Sequence, residues 1–237
     1  MTVATARGLL LAMMDAPEGD EDDFNRWYNT EHMPERRALP GFLETRRWIA
    51  IEGQPKYVAL YDLETPEVVR SEAYRNVNYG TGESEWTKRM LPRVRNMLRN
   101  VYEQIGPGAQ SPQPYPREAG ALLLNLMNVP EELEEEYNAW YDTEHLPLLT
   151  AVPGCLRARR FRALPAANEA PKSIQTGGST TFPAAPKYLA LYEITGPEIF
   201  DSPEWIAGRS TPWTKRVTSR VKDRIRNVYR PLWSPES

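Results

Sequence analysis

Cysteine and histidine are nearly absent from this chain of 237 residues: there is one cysteine, Cys155, and two histidines, His32 and His145. A single cysteine excludes an intrachain disulfide framework and any metal site built on several thiolates. No apolar run approaches the roughly 18 residues that a membrane-spanning helix requires. Neither sign of charge dominates. The 29 basic and 32 acidic residues leave a formal charge of −3, so the chain has no global attraction to nucleic acid. The opening MTVATARGLLLAMMDAPEGDED is only briefly apolar, turns acidic and lacks a signal-peptide cleavage pattern; it reads as a first strand in a cytoplasmic protein. Hydrophobic residues, at 41%, suffice for a core and exclude disorder over the whole chain.

What the sequence does contain is an internal repeat. WYNTEHMP (27–34) returns as WYDTEHLP (140–147), an offset of 113, and Asn25 matches Asn138 at the same offset. Pro40-Gly41 matches Pro153-Gly154, and Arg46-Arg47 matches Arg159-Arg160. PKYVALYDL (55–63) returns as PKYLALYEI (186–194) at offset 131, and Trp86-Thr87-Lys88-Arg89 returns as Trp213-Thr214-Lys215-Arg216 at offset 127. Arg99-Asn100-Val101-Tyr102 matches Arg226-Asn227-Val228-Tyr229. The expected organisation is one duplicated domain: a first copy over 1–105, a linker over 106–117 and a second copy over 118–237. The second copy carries an inserted loop, 163–185, rich in Pro, Gly, Ala, Ser and Thr.

Each copy has the same succession of signals. An apolar strand (Gly8–Met14; Ala121–Met127) precedes a helix with acidic residues in its first turn, which suits the helix dipole. Strands follow over Phe42–Ile51 and Tyr57–Leu63. Thr65-Pro66-Glu67 has the form of a helix start, a further helical stretch begins near Trp86, and the last strands are Met97–Ile105 and Ile225–Trp233. The order β-α-β-β-α-β is that of a ferredoxin-like split βαβ unit, so the fold class expected is α+β. A single such sheet leaves one face open. Two copies in one chain supply two sheets, predicting an intrachain barrel-like pair rather than two independent small domains.

The chemistry-bearing candidates cluster on the repeated W-Y-x-T-E-H-x-P segment. Read as a helix, it puts Tyr28 and His32, and Tyr141 and His145, on one face, with Asn25 and Asn138 on the same stripe. Trp27 and Trp140 flank them. Pro34 and Pro147 predict that the helix ends at the histidine, because proline disfavours helix just before it. A histidine so placed can serve as acid or base. Tyr57 and Tyr61, and Tyr188 and Tyr192, share one face of a strand and could wall a cavity. Adjacent arginines on a strand point to opposite faces, so Arg47 or Arg160 could enter a cavity and bind a carboxylate, with exposure as the default. Cys155 stands where the first copy has Phe42 and reads as packed rather than nucleophilic.

The pattern Trp27-x3-Glu31-His32-x-Pro34 followed by Leu39-Pro40-Gly41, repeated as Trp140-x3-Glu144-His145-x-Pro147 with Val152-Pro153-Gly154, resembles the EthD-type group of dimeric α+β barrel proteins. The resemblance covers nearly the whole chain. It implies a histidine facing a cavity between sheet and helices, which carries over to His32 and His145 only. It also implies enzymes that decarboxylate, dehydrate, cyclise or oxidise aromatic and polyketide-like compounds, usually without a cofactor. The function expected is therefore a cofactor-independent lyase or isomerase acting on a small hydrophobic molecule by histidine acid–base catalysis. No metal, no nucleic acid and no membrane is expected as partner, and a homodimer of the tandem chain is a further expectation. His32 is the first choice of catalyst, since its half carries no long loop. The alternatives are a non-catalytic or stress-related barrel that binds a hydrophobic ligand, a haem-binding barrel, and a cofactor-free monooxygenase.

Overall fold

The structure is a computed structural model that describes residues 7–79, 82–109, 114–164 and 185–233. The inserted loop expected over 163–185 lies almost wholly outside the described residues, as does the middle of the 106–117 linker. Eight strands close into one antiparallel barrel in the order β1-β3-β2-β8-β5-β7-β6-β4. They are β1 (Gly8–Asp15), β2 (Phe42–Glu52), β3 (Tyr57–Leu63), β4 (Arg95–Ile105), β5 (Ala121–Asn128), β6 (Cys155–Ala163), β7 (Tyr188–Ile194) and β8 (Lys222–Trp233). Each half contributes four neighbouring strands, and the two seams are β2 against β8 and β4 against β6. Closure leaves no unpaired edge in the sheet.

Strand alternation sorts the side chains into two environments. Leu9, Leu11 and Met13 of β1 and Leu122, Leu124 and Leu126 of β5 pack with Val58, Leu60, Phe161, Leu189 and Leu191 in one cluster inside the barrel. The intervening residues, Leu10, Ala12 and Met14 in the first half and Leu123 and Met127 in the second, face outward and pack under helices in two separate clusters. Burying each Leu or Met side chain contributes roughly 1.5–3 kcal/mol.

The barrel interior also holds polar residues that tie the halves together. Arg159 on β6 donates to Asp62 on β3 at 2.6 Å and to Glu193 on β7 at 2.9 Å, and Arg157 donates to Glu193 at 2.7 Å. Burial pushes the Glu193 carboxyl up, but Arg159 and Arg157 outweigh it and hold it below the usual carboxylate range. The repeated Asn-Val-Tyr segments make crossed latches. Asn100 and Tyr102 donate to the carbonyls of Ala185 and Pro186 at 3.0 and 2.8 Å, while Asn227 and Tyr229 donate to those of Gln54 and Pro55 at 2.8 and 3.2 Å. Each half therefore satisfies backbone groups just ahead of the third strand of the other.

Outside the barrel, the first half presents α1 (Glu21–Trp27), α2 (Met33–Arg37), α3 (Glu72–Tyr79) and α4 (Glu85–Met90). The second presents α5 (Glu134–Trp140), α6 (Leu146–Thr150), α7 (Pro203–Gly208) and α8 (Pro212–Thr218). The helix does not end at the histidine, as Pro34 and Pro147 had suggested. A single π-helical turn, Tyr28–His32, joins α1 to α2, and Tyr141–His145 joins α5 to α6. In that wider turn the Met33 N–H donates to the Tyr28 carbonyl, and the Leu146 N–H to that of Tyr141. The widening lets the helix run past a proline whose ring would clash with the preceding turn of a regular α-helix. The repeated Pro-Gly then turns the chain into the next strand. Gly41 and Gly154 have φ of +84° and +93°, and a Cβ on Gly41 would lie 2.6 Å from Val68.

Candidate active site

The repeated motif builds a helix clamped to its neighbours in the same way twice. The indole N–H of Trp27 donates to Thr87 Oγ1 at 3.1 Å, and that of Trp140 donates to Thr214 Oγ1 at 3.1 Å. This contact accounts for the threonine in both W-T-K-R segments. Ser84 and Thr211 cap α4 and α8 by accepting from the backbone N–H of Thr87 and Thr214. Their own hydroxyls donate to Glu31 at 2.5 Å and to Glu144 at 2.6 Å. The glutamate beside each histidine thus holds the start of the neighbouring helix. A role for it was not legible in the sequence.

Arg47 and Arg160 lie on the helix-facing side of the sheet, while Arg46 and Arg159 face the other way. Both Arg47 and Arg160 are buried under the π-turns. Arg47 donates to Asn29 at 2.8 Å with its guanidinium 4.3 Å from the Tyr28 ring. Arg160 donates to Asn138 at 2.6 Å and to Asp142, 4.3 Å from the Tyr141 ring. In these positions the two guanidinium groups join helix to sheet. Burial lowers the Arg47 pKa to about 10. Asn25 donates to the Tyr57 hydroxyl at 3.0 Å, and Tyr57 donates to Glu21. Asn138 donates to the Glu134 carbonyl at 2.8 Å and faces Tyr188 at 3.5 Å. Tyr28 and Tyr61 share a hydrogen bond of 3.2 Å between their hydroxyls. The candidates Asn25, Asn138, Tyr57, Tyr188, Arg47 and Arg160 are therefore engaged with one another or with their own helix.

The histidines sit in equivalent rings of aromatic side chains. His32 lies 4.8 Å from both Trp27 and Tyr28, centroid to centroid. His145 stacks on Trp140 at 4.3 Å and meets Tyr141 edge-on at 5.1 Å. Both imidazoles are buried, and the Nδ1 of each has no hydrogen-bond partner among the described residues. Burial, then the charges of Arg36 and Arg47, push the His32 pKa well below its ordinary value. Burial, then Arg224 and Arg160, push that of His145 down to about 3. Both rings are neutral near pH 7. Burial raises the pKa of Tyr141 and of Tyr192, so these phenols stay protonated and able to donate.

A cavity of about 360 Å³ opens beside His145. Trp140, Tyr141, Tyr192, Phe200 and Trp205 give it aromatic walls, and Arg209, Arg224, Arg226, Asn125 and Asp201 also line it. Its volume is at the small end of the range of about 300–1,000 Å³ for ligand pockets, which suits a molecule of one or two to three fused rings rather than a tetrapyrrole such as haem. Leu149 forms part of the wall; its counterpart in the first half is Arg36, a buried guanidinium that donates to Asn78 at 3.0 Å beside Tyr74, the counterpart of Trp205. Of the residues singled out from the sequence, the cavity brings together Trp140, Tyr141, His145 and Tyr192. Arg224, Arg209 and Asn125 were not singled out, because they break the repeat: Met97 and Ala12 stand in the places of Arg224 and Asn125. Among the described residues no three His, Cys, Asp or Glu side chains form a group that could hold a metal ion, and no helix is long and apolar enough to cross a membrane. Burial pushes the Cys155 thiol up to about 12.

No family sequence profile matches the chain, and no curated protein sequence does. Solved structures do match it, over almost its full length. An anthrone oxidase-like protein superposes with a TM-score of 0.65 at 8% identity, covering 97% of this chain and 92% of its own. A chlorite dismutase variant from Candidatus Nitrospira defluvii gives 0.57 at 8% identity, over 97% and 93%. A proposed monooxygenase from Lactobacillus acidophilus gives 0.55 at 10% identity, over 95% and 94%. The shared architecture is an α+β fold with an antiparallel barrel of eight strands. In this barrel fold such low identities carry architecture alone, so the function is argued from the cavity.

Proposed function

We propose that the chain is an enzyme of the EthD-like kind, built from two tandem ferredoxin-like copies (1–105 and 118–237, joined by 106–117). In this reading it acts in the second-half cavity on a small aromatic ketone or related polyketide-like compound. His145 is the acid–base group, and no cofactor is required. The observation that carries this reading is a buried imidazole, its Nδ1 without a partner among the described residues, on the wall of a cavity of about 360 Å³ that five aromatic side chains also line. The crossed Asn–Tyr latches and the twofold use of the Trp–Thr and Glu–hydroxyl contacts support the duplication.

The step that fits this equipment is abstraction of a proton from a carbon conjugated with a carbonyl, directly or through an aromatic ring. The C–H bond breaks, its electron pair delocalises onto the carbonyl oxygen, and the proton passes to the neutral imidazole. A phenol of Tyr141 or Tyr192 stabilises the developing oxyanion by donating to it. Return of the proton at another atom gives isomerisation; expulsion of a β-hydroxyl by the enolate electron pair, with the imidazolium returning its proton so that the group leaves as water, gives a lyase. The name of the anthrone oxidase-like neighbour supplies a probe, since anthrone is a tricyclic ketone with acidic methylene protons.

The test is anaerobic exchange of those protons with D2O, followed by NMR for anthrone and a panel of smaller aryl ketones. Wild type and His32→Gln should catalyse exchange, and His145→Gln should lose about 10²–10⁴-fold while keeping its melting temperature. Retained exchange in folded His145→Gln refutes the assignment. An absence of exchange by wild type across the panel favours the ligand-binding barrel instead.

A further inference from the structure

We infer that the second-half cavity takes an aromatic anion, a ring system carrying a carboxylate or phenolate, and that Arg224 is the residue that receives the charge. This deepens the acid–base reading by naming the charge of its substrate, and it rests on the same cavity.

Strand alternation on β8 points Arg224, Arg226 and Val228 to the helix-facing side, and Arg209 approaches from the end of α7. Three guanidinium groups therefore line one small cavity against a single carboxylate, that of Asp201. Arg226 is committed elsewhere: it donates to Glu52 at 2.7 Å and lies 5.1 Å from the Phe200 ring. Arg224 and Arg209 line the cavity, make no ion pair with any described residue, and are both exposed to solvent. Arg224 is near enough to His145 for its charge to act on the imidazole.

The fold does not need this charge. The first half builds the same strand and the same helix clamp with Met97 in place of Arg224, Ala12 in place of Asn125 and Asn78 in place of Arg209. Asn125 is 8% exposed, and its Oδ1 has no partner among the described residues, in a wall where the first half has alanine. Polar and cationic groups introduced into the wall of a cavity with five aromatic side chains, in the second half only, match a ligand with a flat apolar body and a negative charge. Planar guanidinium groups suit a carboxylate because both of its oxygens can be bonded at once. The same anion would offset the field that Arg224 exerts on His145, so a bound anion makes the imidazole a stronger base.

Isothermal titration with 2-naphthoate and with its neutral isostere 2-naphthamide tests the inference. Wild type should bind naphthoate at least about tenfold more tightly than the amide. Arg224→Met, which installs the first-half residue, should remove most of that preference while leaving the amide unchanged. Arg220→Met, outside the cavity, should bind as wild type does and controls for the loss of one surface charge. His145→Gln should still bind naphthoate, so failed proton exchange and failed anion binding can be told apart. Equal affinities for the acid and the amide in wild type, or an undiminished preference in Arg224→Met, overturns the inference.

Discussion

Lowering the pH from 7 to 5 should weaken the folded state through His145, and the size of the effect follows from its surroundings. In the unfolded chain the imidazole takes up a proton near pH 6.5. In the folded chain burial, aided by Arg224 and Arg160, delays protonation to about pH 3. Between those values the unfolded state binds one more proton than the folded state, so stability falls as pH falls. The loss is fully absent only above about 6.5 and stops growing below about 3. Each pH unit is worth about 1.4 kcal/mol, so at pH 5 the contribution is about 2 kcal/mol. For a chain of this size that corresponds to a melting temperature lowered by about 4–8 °C. The measurement is thermal unfolding at pH 7 and pH 5 for wild type and His145→Gln, compared as a difference of differences. Glu35 and Glu83, whose carboxyls burial pushes up, contribute equally to both proteins and cancel. Glutamine cannot be protonated in this range, so the variant should lose that much less between the two pH values. If both proteins lose the same stability, His145 is not held neutral and the reasoning fails.

Two further expectations concern stability alone. Thr214→Val keeps the shape of the residue that accepts from the Trp140 indole at 3.1 Å and should cost about 1–3 kcal/mol in urea unfolding, because a buried donor is left unpaired; a neutral result would show that water replaces the hydroxyl. Tyr102→Phe removes the 2.8 Å latch to the Pro186 carbonyl and should cost a similar amount, and combining it with Tyr229→Phe should be additive, since the two latches share no partner; strong non-additivity in chemical denaturation would show that they act as one unit.

Much of the architecture was legible because the two halves of the sequence repeat their motifs. The repeated, mostly apolar run PKYVALYDL marks β3 at Tyr57–Leu63, and PKYLALYEI marks β7 at Tyr188–Ile194. The π-turns were not legible: a proline two residues beyond histidine reads as a stop, and only the wider hydrogen-bond ring shows how the helix passes it. Matching the halves also biased the choice of site. Residues identical in both halves, such as Arg47 and Arg160, do the same structural work twice: these two fasten helix to sheet. The cavity is distinguished instead by residues that differ, Arg224 against Met97 and Leu149 against Arg36, which a search for identity discards. His145 was legible as a candidate; the cavity beside it was not, since its volume depends on those divergent neighbours.

The position of β8 in the ring sets the order in which this protein can be made. β8 pairs with β2, from residues 42–52, and with β5, yet lies at 222–233. During synthesis β2 has one partner, β3, and an open flank until β8 has left the ribosome. For that interval the nascent chain presents a bare strand edge of the kind that pairs with other chains. Contacts separated by about 180 residues also make barrel closure the slow step of refolding. During that wait the inner face and the two strand edges that β8 later joins, those of β2 and β5, are the surfaces that a chaperone would have to shield.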